Sequence, residues 1–154
     1  VAGMPVQFFP VWHGGDYVSL GMLFGAQAAE QSDPEQDGPV APLVYISDCS
    51  GVPPASLALL QRHRIDVLVV DALYHEPHPS HFSLTQALEL AQQLRPRRAL
   101  LVGMTCRMGL HDTINERVAQ VGRECGIDIG LAYDGLELHF KPSPSPSPTA
   151  ERDN

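Results

Sequence analysis

The sequence predicts an α/β fold in which helices cover a mixed β-sheet. Two nearly continuous apolar runs, at 43–46 and 65–70, each end in polar residues and are followed by segments with helical spacing. Runs of this kind are typical of strands that are buried on both faces. With 44% hydrophobic and 18% charged residues, the 154-residue chain has the composition of one compact domain.

The first predicted elements are two β-rich runs, residues 6–13 and 17–25, joined by a Gly-Gly-Asp sequence at 14–16. This pattern predicts a β-hairpin. Pro10 has no amide hydrogen to donate to a neighbouring strand, so the first strand is expected at a sheet edge or at a bulge. Residues 26–42 are polar, acidic and contain Pro and Gly, which predicts a surface loop.

A βαβ unit is predicted next. Residues 43–51 read as a buried strand that stops at Asp48, and residues 55–64 have apolar side chains at helical spacing. Residues 65–71 form a second apolar run, which ends at Asp71. Strand, helix and strand in this order predict two parallel neighbours in one sheet.

The remaining predicted elements continue the alternation. They are an extended loop at 72–80, a helix at 83–94 capped by Ser83, a strand at 98–103, a helix at 111–124 closed by Gly126, and a closing hairpin of strands at 128–133 and 136–140. Residues 141–154 form a Ser/Pro-rich tail with little apolar content, which is expected to be disordered.

Charge and composition exclude several classes of partner. Eighteen acids against ten bases give a formal charge of −8, which argues against nucleic acid. No apolar stretch reaches the ~18 residues of a membrane span and no secretion signal is present, so we expect no membrane partner and an intracellular, cytoplasmic protein. Three widely spaced cysteines indicate free thiols. Because the chain begins at Val1 close to a strand-like run, we expect a piece of a longer protein.

Polar side chains collect where the predicted strands end. Asp48, Asp71 and residues 103–106 each follow a strand, and the carboxyl ends of parallel strands meet at one edge of a sheet. His13, at the end of the first hairpin strand, joins them if the hairpin packs alongside. Carboxylate oxygen and imidazole nitrogen are ligands of divalent metals that keep a position open for water.

Each of these residues also has a simpler interpretation. Asp48 fits a helix N-cap or a turn acceptor, and Asp71 fits a carboxylate that holds the following loop. His13 fits a histidine that donates to a backbone carbonyl, and Cys106 fits a small buried hydrophobe. The His-x-x-His-x-x-His spacing at 75–81 matches no closed zinc motif.

Five segments lie in order between residues 6 and 140, namely His13-Gly-Gly-Asp-Tyr-Val-Ser-Leu-Gly, Tyr45-Ile-Ser-Asp48, Val70-Asp71-Ala-Leu, His78-Pro-Ser-His81-Phe-Ser-Leu and Ala132-Tyr-Asp-Gly-Leu. Together they resemble the C-terminal half of the metallo-β-lactamase superfamily. Within it they are similar to the phosphodiesterases that open ribosyl cyclic phosphates in phosphonate breakdown. The resemblance implies that residues 1–140 are half of a four-layer αβ/βα fold, with two divalent ions, zinc or manganese, and a small phosphodiester substrate.

The resemblance also assigns roles to single residues. His13 matches a histidine that ligates one metal, and Asp48 matches the carboxylate that bridges two. His81 matches a catalytic histidine beside the substrate phosphate, and Asp71 matches an acid behind the site that supports it. The implied mechanism is an attack by hydroxide on a phosphoryl or acyl centre held between two cations.

Two features depart from the family pattern. The hallmark His-x-His-x-Asp-His, which supplies most metal ligands in the N-terminal half, does not occur in this sequence. Cys106 stands where relatives carry a later histidine, and it can serve as a thiolate ligand or be an inert thiol. We therefore expect this chain alone to bind metal weakly or not at all and to be inactive, with a homodimer or the missing N-terminal half as its partner. The alternative is a non-catalytic α/β interaction module that has lost its metal site.

Overall fold

The computed structural model describes residues 4–25 and 39–140. Its elements are β1 (Val6–Trp12), β2 (Val18–Phe24), β3 (Val40–Ile46), α1 (Pro54–Gln61), β4 (Arg64–Asp71), α2 (Leu84–Leu94), β5 (Arg98–Val102), a short 3₁₀ helix (Cys106–Met108), α3 (His111–Cys125) and β6 (Asp128–Leu131). The predicted disorder of residues 141–154 and most of the predicted loop at 26–42 lie outside the described residues. None of the helices described is long and apolar enough to cross a membrane.

The strands form one six-stranded sheet in the order β1-β2-β3-β4-β5-β6. The pairs β1/β2 and β2/β3 are antiparallel, and β3 to β6 run parallel to one another, so the predicted mixed sheet is confirmed. The predicted first hairpin is confirmed as well, and its turn uses Gly14 and Gly15 at φ 76° and 53°. β1 is an edge strand, as Pro10 required.

The helix ends follow the sequence signals. The side chain of Ser83 accepts a hydrogen bond from the backbone amide of Gln86, and the side-chain oxygen of Gln86 accepts one from the backbone amide of Ser83; this capping box starts α2. Gly126 ends α3 in the left-handed conformation. These caps fix where α2 begins and where α3 ends.

The predicted closing hairpin is wrong. β6 pairs with β5 in parallel, and residues 136–140 form no strand. The Asp134-Gly135 turn does form, since the amide of Leu136 donates to the carbonyl of Tyr133. After the turn, Leu136, Leu138 and Phe140 pack on the sheet face instead of pairing with an edge, because alternate apolar side chains can be buried without a backbone ladder.

The two faces of the sheet are covered differently. One face carries the main core, where side chains of all three α-helices pack against buried strand residues such as Leu68 and Val70. On the other face, Val67, Val69 and Leu100 lie under the segment 132–140. The predicted α/β class with a mixed sheet is confirmed, and the helices described lie on one face of that sheet.

The hairpin end of that second face is uncovered. We call this surface the open hairpin face, and it consists of Val6, Phe8, Trp12, Val18 and Leu20, which are 39%, 58%, 45%, 60% and 56% exposed. The register places these side chains on one side, since Trp12 pairs with Val18 and Pro10 with Leu20. Large exposed apolar patches are uncommon on monomeric proteins.

Candidate metal centre

Three side chains meet at the edge of the sheet where β3 and β4 end. His13 follows β1, Asp48 follows β3 by one intervening residue, and His81 comes from the loop after β4. Each offers a metal-binding atom, and these atoms all lie within 4.8 Å of one another. The predicted ligands His13 and Asp48 are therefore neighbours, and the predicted catalytic residue His81 stands with them.

The imidazole of His13 is held by the backbone of the loop after β4. Its Nδ1 lies 2.7 Å from the carbonyl oxygen of Ser80, and because a carbonyl only accepts, Nδ1 donates and Nε2 keeps its lone pair. Metal-binding histidines commonly donate their other N–H in this way. The simpler interpretation of His13, a donor to a backbone carbonyl, is thus confirmed, whereas its role as a metal ligand stays a prediction, for which this bond leaves Nε2 available.

The hairpin tip and this loop touch closely at Gly14. A Cβ at Gly14 would lie 3.1 Å from the carbonyl oxygen of Pro79, and the residue has a φ of 76°. Both facts favour glycine. The amide of Gly14 also donates to Oγ of Ser50 over 3.0 Å, which joins the tip to the loop after β3. His13 is therefore positioned by two different loops.

Asp48 adopts a backbone conformation that costs free energy. Its φ is 49°, in the left-handed region that few residues other than glycine enter. Two backbone hydrogen bonds fix the residues that follow Asp48. The amide of Ser50 donates to the carbonyl of Trp12 over 2.7 Å, and the amide of Trp12 donates to the carbonyl of Gly51 over 2.8 Å. Strain held in place by its surroundings is typical of functional positions.

The interpretation of Asp48 as a helix cap is wrong. α1 is preceded by Pro53 and has no side-chain cap. Asp48 is exposed, whereas its neighbours Ile46 and Cys49 are fully buried. Its carboxylate is therefore presented to solvent beside the two imidazoles.

His81 is paired with Asp71. Its Nδ1 lies 2.7 Å from Oδ2 of Asp71, and the side chains are 22% and 4% exposed. The same carboxylate oxygen accepts the amide of Cys49 over 3.3 Å. Gly103, at φ 76°, permits this packing, since a Cβ there would lie 2.6 Å from Oδ1 of Asp71. Asp71 thus holds His81 through Nδ1, and Nε2 of His81 has no hydrogen bond to a described residue.

The cysteines lie outside this group of donors. Cys106 is exposed at the start of the 3₁₀ helix, and the metal-binding group found among the described residues does not contain it, so its role as a ligand stays a prediction. Cys49 is buried beside Asp71. Burial raises the pKa of the Cys49 thiol to about 12, the charge of Asp71 adds to the rise, and a backbone hydrogen bond at Gly51 opposes it.

The other loop histidines have separate contacts. His75 Nε2 lies 2.8 Å from the carbonyl oxygen of Met108, which ties the loop to the 3₁₀ helix. His78 packs against His81, with ring centroids 5.4 Å apart. Of the three loop histidines, the structure brings only His81 into the donor group. The regular spacing of the histidines at 75–81 did not indicate which of them joins the donor group, because the Pro-rich loop follows no helical or strand period.

The donor set fits a divalent ion. Two neutral imidazole nitrogens and one carboxylate oxygen suit zinc or manganese. Three protein ligands and an open position are the usual set of a catalytic zinc. A second ion needs further ligands from outside this group.

Comparison with known proteins identifies the family. Residues 1–104 match the family described as the beta-lactamase superfamily domain. The chain belongs to the metallo-β-lactamase superfamily. Metal-dependent hydrolases are found among the proteins with this fold, and the match confirms the family and fold that the sequence predicted.

Solved structures agree with this assignment. A diphosphatase from the PhnP family is 28% identical, with a TM-score of 0.68 over 91% of this chain and 44% of that chain. It fits the predicted phosphodiesterase branch. Two other structures share the fold. YhfI from Bacillus subtilis is 17% identical, with a TM-score of 0.59 over 88% of this chain and 50% of that chain. The short form of human tRNase Z is 17% identical, with a TM-score of 0.54 over 88% of this chain and 43% of that chain. The chain spans about half the length of these structures. No curated protein sequence matches it.

Proposed function

We propose that this chain supplies one side of the active site of a metal-dependent hydrolase that cleaves a P–O bond in a small phosphodiester or diphosphate. The observation that carries the proposal is the meeting of His13, Asp48 and His81, with His81 fixed by the buried Asp71. The likeness to a diphosphatase supports phosphate esters as the substrate class. Because the chain spans about half of that structure, the complete site is proposed for the complete domain.

His13 and Asp48 are the proposed metal ligands of this chain. His13 offers Nε2, since its Nδ1 donates to the backbone, and Asp48 offers a carboxylate oxygen that can bridge two ions. Bound zinc or manganese would polarise the phosphoryl oxygens and lower the pKa of a coordinated water. The protein groups around the ions hold the substrate between them and exclude competing geometries.

His81 is the proposed proton donor to the leaving oxygen. The carboxylate of Asp71, 2.7 Å from Nδ1, stabilises the protonated ring, so Nε2 can carry a proton toward the substrate. The distance of His81 to the other donors also favours a second role, as a third metal ligand. One nitrogen cannot do both at once, so the two roles predict different metal contents when His81 is changed.

The remaining ligands are proposed to come from the other half of the domain, packed on the open hairpin face. Trp12 belongs to that face and directly precedes His13, so a partner that covers the face reaches the metal centre. The isolated chain is expected to bind metal weakly and to be inactive. The alternative, an interaction module without metals, uses the same face but predicts no metal in any assembly.

The experiment is metal analysis of the full-length protein with a phosphodiester assay. The variant Asp48→Ala is expected to lose metal and activity together, whereas His81→Gln keeps the metal and loses activity if His81 is the proton donor. Asp66→Asn is the control, because Asp66 lies on β4 roughly 15 Å from Asp71. Unchanged metal in Asp48→Ala contradicts the site, and tight stoichiometric metal in the isolated chain contradicts the need for a second half.

A further inference from the structure

We infer that Arg107 and His78, arranged around the ring of Tyr74, form a subsite beside the metal centre for a second phosphoryl group of the substrate. The inference rests on the proposed function for the place of the reacting phosphate. Its own support is a row of side chains that leads away from His81.

The row is continuous. The ring centroid of His78 lies 5.4 Å from that of His81, and the centroid of Tyr74 lies 6.4 Å from that of His78. The guanidinium carbon of Arg107 lies 4.7 Å from the centroid of the Tyr74 ring, a cation–π contact. Contacts between neighbouring side chains therefore connect His81 to Arg107 through His78 and Tyr74.

The hydrogen bonds of His78 leave one donor available. The amide of Ser80 lies 3.3 Å from Nδ1 of His78, and because an amide donates, Nδ1 accepts. In the neutral ring the hydrogen then sits on Nε2. No described residue accepts it in a hydrogen bond, so Nε2–H is free to donate to a ligand oxygen.

Arg107 is a cation without an acidic partner. It is exposed, and no carboxylate of residues 4–25 or 39–140 forms an ion pair with it. In a chain with a net charge of −8, such a cation beside a proposed phosphate site has an anion as its expected ligand. A guanidinium has five donors in a planar fork that fits phosphate oxygens in pairs.

The loop that carries Arg107 is fixed to the loop that carries Tyr74. The amide of Thr105 donates to the carbonyl of Leu73 over 2.9 Å, and His75 bonds the carbonyl of Met108 over 2.8 Å. These contacts lie on both sides of Arg107. Its position over Tyr74 is therefore set by the backbone rather than by the side chain alone.

The chemistry favours a phosphoryl group over an aromatic base. The ring of Tyr74 already contacts the guanidinium of Arg107 and makes an edge contact with the ring of His78. It therefore offers little surface for stacking a base. The donors that remain, Nε2–H of His78 and the fork of Arg107, bind oxygen anions. A substrate with two phosphoryl groups can place one at the metals and the other here.

The test titrates inorganic phosphate into the metal-free 154-residue chain, in a chelating buffer, with the NMR signals of the Arg107 Nε–H and the His78 ring as readouts. Arg107→Gln is expected to weaken binding about three- to tenfold, the effect of one charge-assisted contact near the surface. Tyr74→Leu, which removes the ring that positions Arg107, is expected to act in the same direction, and Tyr74→Phe is expected to retain binding.

Arg62→Gln is the matched control, since Arg62 is exposed at the end of α1, before β4 begins, and lies roughly 20 Å from the strand end at Asp71. Equal phosphate affinity in Arg107→Gln and Arg62→Gln overturns the subsite, as does full binding in Tyr74→Leu. Because no metal is present, the result is independent of whether Asp48 binds metal. Failure of the hydrolase proposal and failure of the subsite are therefore separate outcomes.

Discussion

Asp71 and His81 form a buried-to-exposed pair, in which a carboxylate that is 4% exposed accepts the Nδ1–H of an imidazole that is 22% exposed, over 2.7 Å. The carboxylate is also anchored by the amide of Cys49. Such a pair fixes both the orientation of the ring and the nitrogen that carries the hydrogen. The orientation of the His81 ring is thus determined by a residue that solvent barely reaches.

The first prediction concerns this pair. Asp71→Asn keeps the size of the side chain but removes the charge that stabilises protonated His81, so the activity of the full-length protein is expected to fall by about 10- to 100-fold. Steady-state kinetics measure the effect, and a fall in kcat at unchanged metal content is expected. Asp66→Asn is the control, and equal kcat values for the two variants contradict the role of Asp71.

The second prediction uses the strained backbone of Asp48. Asp48→Gly and Asp48→Ala both remove the carboxylate, but only glycine adopts a φ of 49° without steric strain. Asp48→Gly is therefore expected to have a free energy of unfolding about 1 kcal/mol higher than Asp48→Ala, measured by urea denaturation. Equal stability of the two variants would show that the left-handed conformation is not kept in solution.

The third prediction concerns the glycine behind Asp71. Gly103→Ala places a Cβ 2.6 Å from Oδ1 of Asp71 at a φ of 76°, and is expected to lower the free energy of unfolding by about 2–4 kcal/mol. Gly135→Ala is the control, because Gly135 has a φ of 86° and no atom within 4 Å of the added Cβ. The excess loss in Gly103→Ala measures the contact with Asp71, and no excess contradicts it.

The fourth prediction separates two thiols. Exposed Cys106 is expected to react with a thiol reagent at pH 8, whereas buried Cys49, with its pKa raised to about 12, reacts only after unfolding. Because the folded thiol holds its proton above the ordinary pKa of 9.0, the stability that Cys49 contributes is complete below pH 9 and is lost as pH rises from 9 to about 12. Urea denaturation of Cys49→Ser against the parent over pH 8–10 measures this slope, and equal slopes contradict it.

The fifth prediction concerns the open hairpin face. The isolated chain is expected to self-associate through this apolar surface, and Leu20→Lys, which places a charge among Phe8, Trp12 and Val18, is expected to shift it toward the monomer. Sedimentation velocity measures the change. Thr85→Lys, at an exposed position on α2, adds the same charge elsewhere and is expected to have no effect. A shift toward the monomer in both variants would indicate that the added charge, and not its place on the open hairpin face, controls self-association.

The sequence predicted those parts of the fold that depend on local pattern. The apolar run of β4, the helix cap at Ser83 and the Gly-Gly turn of the first hairpin each depend on a few adjacent residues, and all are confirmed. The segment 136–140 was assigned wrongly because its alternation of apolar and polar residues is the same for a paired strand and for a chain that only packs on a sheet.

The site was predictable to a smaller extent. Asp48 and Asp71 lie at strand ends, and parallel strands bring their carboxyl ends together, so their proximity follows from topology. The place of His81 depends on how a Pro-rich loop returns over the hairpin tip at Gly14, and this contact joins residues that are distant in sequence. The spacing of neighbouring residues in the sequence does not predict this long-range contact.

The order of the strands in the sheet, which repeats their order in the chain, has a consequence for biosynthesis. Each strand is laid beside the one that left the ribosome just before it, so the sheet can grow in one direction while synthesis continues. His13 and Asp48 emerge early, but the loop that orients His13 and supplies His81 follows only after β4. The three side chains of the donor group are therefore all present only after β1 to β4 have been synthesised, and before β5 and β6 follow.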